Sequence, residues 1–93
     1  MLKNKAIESF KESSLDEKRK IISLYFDAYK RAKSKNYSLA FHYLESANSL
    51  WGNSEFTIIF NNLLADYQLV EFEKQVEEVL ENLISLLSPS TGW

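Results

Sequence analysis

The sequence predicts an all-α fold, a compact antiparallel bundle of four or five helices. Three observations lead there. Tyr37, Ala40, Leu44, Ala47 and Leu50 recur at spacings of three and four, which draws one packed face along a helix. Ala28 and Ala32, one helix earlier, are in phase to meet Ala40 and Ala47, so the two helices can approach closely as a hairpin. The chain has two glycines and one proline, all in predicted loops or the tail, which favours long uninterrupted helices.

The elements follow in order. The first helix is predicted over about residues 3–11, with Ala6, Ile7 and Phe10 on one side; it is short and needs tertiary contacts to form. Ser14 reads as an N-cap with Glu17 completing a capping box, and Asp16 and Glu17 suit the positive end of the helix dipole. The second helix should run over residues 15–34. Ile21, Leu24, Tyr25, Ala28 and Ala32 form one stripe on it, and Ile22, Phe26 and Tyr29 form another beside it. So wide an apolar arc marks a central helix touched on two sides.

Lys35 and Asn36 make the next turn, and Lys30, Arg31, Lys33 and Lys35 suit the carbonyl end of the helix before it. A third helix is predicted from residue 37 or 38 to 50, closed by Gly52 in a left-handed cap. Ser54 is the expected N-cap of a fourth segment over residues 55–69, with Phe56, Ile59, Phe60, Leu63, Leu64 and Tyr67 on one face. Phe72, Val76, Val79, Leu80, Leu83, Leu86 and Leu87 then form a stripe with a period close to 3.5. A break near residues 69–70 is expected, because one helix over residues 55–87 would outrun so small a core. Residues 1–88 read as one domain, and residues 89–93, ending in Trp93, as a tail.

Composition narrows the function classes. An apolar fraction of 45% supports a real core rather than disorder. The absence of cysteine excludes disulfides and thiolate metal sites and fits a reducing cytoplasm. The first residues lack the apolar run of a secretory signal, and no apolar run is long enough to span a membrane. The net charge of −2 conceals a division: residues 1–36 hold ten basic and five acidic side chains, and residues 37–93 hold one basic and eight acidic. The two halves either attract each other or present different surfaces to partners.

Residues 36–50 resemble the second half of a tetratricopeptide repeat, which pairs a small residue in one helix with Tyr-x-x-Ala and a later small residue in the next. Ala28, Tyr37 with Ala40, and Ala47 hold those places within residues 24–52. Arg31 and Ala32 stand where an aromatic is usual, Gly52 replaces the closing proline, and no second copy follows at a period of about 34. The resemblance implies a single hairpin of a kind that commonly serves as a binding scaffold. The stretch AFHYLESANSLWGN also resembles a family of small bacterial helical proteins of unknown function with an Ala-Phe-x-His-Leu-Glu-x-Ala-His-x-Leu-Gly motif. Ala40, Phe41, Leu44, Glu45, Ala47 and Leu50 match in place. Tyr43 and Asn48 stand at the two histidines, and Trp51 displaces the glycine by one position. This second resemblance implies no activity, and without those histidines it implies no metal.

No cofactor, metal or catalytic residue is expected. His42, the lone histidine, reads as a surface or boundary residue, since no further nitrogen or sulfur ligands accompany it. There is no glycine-rich phosphate loop and no arrangement for nucleophilic catalysis, so an enzyme is not expected. The expected function is a non-enzymatic protein-interaction module, an adaptor or inhibitor, with a homodimer as one form. Its expected partner-binding face is Tyr25, Phe26 and Tyr29 rimmed by Lys30 and Lys33, aromatic anchors with a basic border. The alternative is a nucleic-acid-linked regulator. It would use either its basic helix end on DNA or RNA, or the face of Glu73, Glu77 and Glu81 against a nucleic-acid-binding protein, as small phage-type inhibitors do.

Overall fold

The computed structural model describes residues 4–87, which form five α-helices: α1 (Asn4–Glu12), α2 (Leu15–Lys33), α3 (Tyr37–Trp51), α4 (Ser54–Ala65) and α5 (Leu69–Leu87). The expected tail with Trp93 lies outside the described residues. The bundle is all-α, and α2 is its centre, with its most extensive contacts to α3 and the next to α5.

Local signals set most boundaries. Ser14 accepts from the Glu17 backbone N–H, and the Glu17 carboxylate accepts from the Ser14 N–H, each at 3.1 Å, which completes the predicted capping box. Asn36 caps α3 through its side-chain oxygen, which accepts from the Leu39 N–H. At α4 the expectation shifts by one residue. Asn53 holds the N-cap position and Ser54 is the first helical residue, because the chain leaves the turn at Gly52 directly into the helix.

Three helices end in the same hydrogen-bonded turn. After α2, the Lys35 N–H donates to the Ala32 carbonyl and the Asn36 N–H to the Arg31 carbonyl. After α3, the pairs are Gly52 to Ser49 and Asn53 to Asn48; after α4, Tyr67 to Leu64 and Gln68 to Leu63. Each is a Schellman turn, which needs one residue with positive φ. Gly52 supplies it at no steric cost (φ 70°), whereas Lys35 (φ 68°) and Tyr67 (φ 56°) take it against the preference of L-residues. The third turn also moves the predicted break: α4 stops at Ala65 and Asp66–Gln68 form the corner, a few residues before the expected 69–70. Lys35→Gly is expected to raise stability by about 0.5–1 kcal/mol, less than the full relief of strain, because Lys35 also complements the carbonyl end of α2. A lower urea midpoint for the variant would refute this.

The α2–α3 hairpin packs as predicted at its alanines. Ala28, Ala32, Ala40 and Ala47 are all fully buried, together with Leu44. The end of the stripe differs: Leu50 is exposed and Trp51 takes the inward place. Trp51 and Leu50 both lie three or four residues beyond Ala47, and the indole wins because distant partners await it. Its Nε1–H donates to the Ala6 carbonyl at 3.1 Å, and the Ser9 hydroxyl donates to the Trp51 carbonyl at 2.9 Å. These bonds tie α1 to the end of α3, while α1 also packs against α5.

Aromatic side chains run through the whole core, edge to face except for the tilted Tyr25–Phe60 pair. Phe10 of α1 meets Trp51 of α3, Trp51 meets Tyr25 of α2, Tyr25 meets Phe60 of α4, Phe60 meets Phe72 of α5, and Phe72 meets Tyr37 at the start of α3. Every helix contributes to this line. The stripe predicted on α5 is buried at Phe72, Val76, Val79, Leu80 and Leu83. On α4, Phe56 and Phe60 are buried, whereas Ile59 and Tyr67, expected on the same inward face, are exposed.

Candidate functional site

The residues expected to form one aromatic and basic face divide between two sides of α2. Tyr25 is fully buried and belongs to the core, which corrects its place in the expected binding face. Its hydroxyl donates to Asn48 Oδ1 at 2.5 Å, and Asn48 Nδ2 donates to Thr57 Oγ1 at 3.2 Å, so one buried polar link ties α2, α3 and α4. Burial pushes the Tyr25 hydroxyl far above the ordinary phenol range, an effect only partly offset by Asn48. Such a group holds helices in register and offers nothing to a ligand.

Phe26, Tyr29, Lys30 and Lys33 remain together on the other side of α2. Phe26 is half exposed, with the Lys30 ammonium 5.2 Å from its ring centre; the Lys33 ammonium stands 5.5 Å from the ring of half-buried Tyr29. The Tyr29 hydroxyl donates to Glu77 Oε2 of α5 at 3.3 Å. Lys33 is held above its ordinary pKa by its hydrogen bond and charge interaction with Tyr29, then by Glu73 and by Glu77. Thus Tyr29, Lys33, Glu73 and Glu77 of the two expected faces meet in one seam, with α2 and α5 antiparallel, while Glu81 lies exposed one turn further on. The basic and acidic halves of the sequence attract each other here. Tyr29→Phe is expected to cost under about 1 kcal/mol, because its bond to Glu77 is solvent-exposed. A loss above 2 kcal/mol in urea denaturation would show the seam to be stronger than this geometry allows.

His42 is exposed on α3, with the ring of Tyr43 6.3 Å away. Among the described residues, no three histidine, cysteine, aspartate or glutamate side chains converge as metal ligands would. A shallow, open groove of about 590 Å³ runs between α2 and α3, bordered by Lys20, Leu24, Glu45, Ser46, Ser49 and Leu50. Among the described residues, no helix is long and apolar enough to cross a membrane.

The feature that sequence reasoning missed is the corner between α4 and α5. At the corner Tyr67 is 85% exposed and Val70 83%; further back along α4, Ile58 (61%) and Ile59 are exposed as well. Ile58 stands about 200° round α4 from buried Phe56, so it faces away from the bundle. The signal was present in the sequence: from Phe56 to Ala65 the helix carries no charge, and its apolar residues exceed what one buried face can use.

No family model, no curated protein and no solved structure matches this chain. The tetratricopeptide likeness therefore rests on the hairpin residues alone.

Proposed function

We propose that this chain is a non-enzymatic protein-interaction module of the cytoplasm, an adaptor or inhibitor that offers a helical face to a protein partner. The observation that supports the reading is the set of large apolar side chains exposed along α4 and at its corner with α5, which no other described element covers. The aromatic stripe of α2 supports it less. Lys30 and Lys33 stand over the rings of Phe26 and Tyr29, and Tyr29 is tied to α5. The glutamate face that a nucleic-acid-linked regulator would present is occupied at Glu77 in the same way.

The test is affinity capture from lysate of the source cell with the wild-type chain and an Ile58→Ser, Val70→Ser variant, eluted in rising salt. A defined protein held at high salt by the wild type and lost by the variant is the expected result, since an apolar interface responds weakly to ionic strength. Recovery of nucleic acid, released at modest salt, would overturn the reading.

A further inference from the structure

α1 is a short helix joined to α2 by a two-residue link, Ser13 and Ser14, and no residue type in that link compels a bend. From Asn4 to Lys33 the chain has neither glycine nor proline. Ser14 has φ −65°, already a helical value, and only its ψ of 161° is extended. The N–H groups of Ser14 and Glu17, now held by each other's side chains, would in a straight helix pass to the carbonyls of Phe10 and Ser13. The apolar sides are also in phase across the link. Phe10 stands 11 residues before Ile21 and 18 before Ala28, and 18 residues make about five whole turns. In a straight helix Ala6 and Phe10 therefore continue the buried stripe of α2.

A straight link and a seated α1 exclude each other within one chain. The rings of Phe10 and Tyr25 lie 5.9 and 6.2 Å from that of Trp51, so they are at most about 12 Å apart, whereas one straight helix would set the two residues about 22 Å apart. Straightening therefore draws Phe10 away from Trp51 and opens its place in the core. One segment is known to fit that place, and it is α1: Phe10 is wholly buried there, Ala6 nearly so, and the Trp51 indole and the Ser9 hydroxyl add two hydrogen bonds. We propose that Ser13–Ser14 is a hinge through which two copies of this chain exchange α1, each straightened α1 filling the seat of the other. The contacts of the seat are kept and the exchange is reciprocal, so the assembly closes at two copies. Leu15, 52% exposed beside the hinge, then lies where the two long helices cross and gains an apolar contact. The exchange goes beyond the interaction-module reading and does not rest on it.

The experiment compares the full chain with two double variants, Ser13→Ala with Ser14→Ala and Ser13→Gly with Ser14→Gly, by sedimentation velocity over a range of concentrations. Circular dichroism follows their folding. Alanine removes the N-cap and favours a straight link, whereas glycine caps nearly as well as serine and weakens a helix interior. The expected result is a dimer whose Kd is at least about a hundredfold lower for the alanine variant than for the glycine variant, because each dimer carries the difference at both hinges. Equal association of the two variants would mean an ordinary surface contact and overturn the exchange. The wild type supplies a second reading that depends on no variant. Unlabelled and isotope-labelled chains, concentrated together and then diluted, should show mixed dimers in native mass spectrometry that separate slowly, since Phe10 must leave the core before they part. No mixed dimers at any concentration, or mixed dimers that part at once on dilution, would overturn the proposal.

Discussion

Trp51→Ala is expected to remove about 3–5 kcal/mol of stability, as truncation of a buried large aromatic does. Against the about 5–15 kcal/mol of a typical domain, that is a large share of the whole, and a chain at the low end of the range would be brought close to unfolding. The reason lies in what the indole joins. Its ring meets Phe10, Tyr25 and Phe56 edge to face, and its Nε1–H satisfies the Ala6 carbonyl of α1. Alanine leaves a cavity among three rings and strands that carbonyl. Trp51→Phe separates the two losses: it keeps most of the packing and forfeits the hydrogen bond, at about 1–3 kcal/mol. Urea denaturation followed by far-ultraviolet circular dichroism measures both. A Trp51→Ala unfolding free energy within about 1 kcal/mol of wild type would mean that α1 is not held through this residue.

The second large effect is expected at Asn48. Asn48→Leu leaves the fully buried Tyr25 hydroxyl without an acceptor and takes a donor from Thr57, at about 2–3 kcal/mol. Tyr25→Phe alone strands the Asn48 oxygen at a smaller cost. The double variant should lose clearly less than the sum, since an apolar pair leaves no buried polar group unsatisfied. Additive losses would show that the two side chains do not act as a unit.

The same pair sets an alkaline limit. Tyr25 keeps its proton in the folded state well beyond the ordinary 10.0 at which the unfolded chain releases it. Above that pH the unfolded state binds fewer protons, so the contribution of Tyr25 is complete below about pH 10 and is lost as pH rises beyond it. Tyr25→Phe should flatten the fall in denaturation midpoint between neutral and strongly alkaline buffer. An unchanged slope would place the alkaline sensitivity elsewhere.

What could be read from the sequence is what local chemistry decides. The capping box at Ser14 and Glu17 closes within one turn, and the alanines of α2 and α3 meet because a short turn forces them together. The choice of Trp51 over Leu50 was not legible, because the Ala6 carbonyl and Phe10 that decide it lie some forty residues earlier. The spacing of Tyr25 with Ile21 and Ala28 already sets it on a different stripe from Phe26 and Tyr29; its acceptor, Asn48, on the facing helix, carried no local sign. The end of α4 was misplaced because its terminal turn is built on tyrosine where glycine would have announced it. For the same reason the spacing places exposed Tyr67 on the inward face of α4, while Val70 falls at the expected break.

The attachment of α1 through Trp51 also bears on how the chain is made. Ser9 and Trp51 are separated by 42 positions, so during synthesis α1 emerges well before its partner at the end of α3. The α2–α3 hairpin, closed by a short turn, can form in the meantime. During that interval Phe10 and Ala6, both buried in the folded state, have no native surface to cover, and the nascent α1 is open to chaperones and proteases.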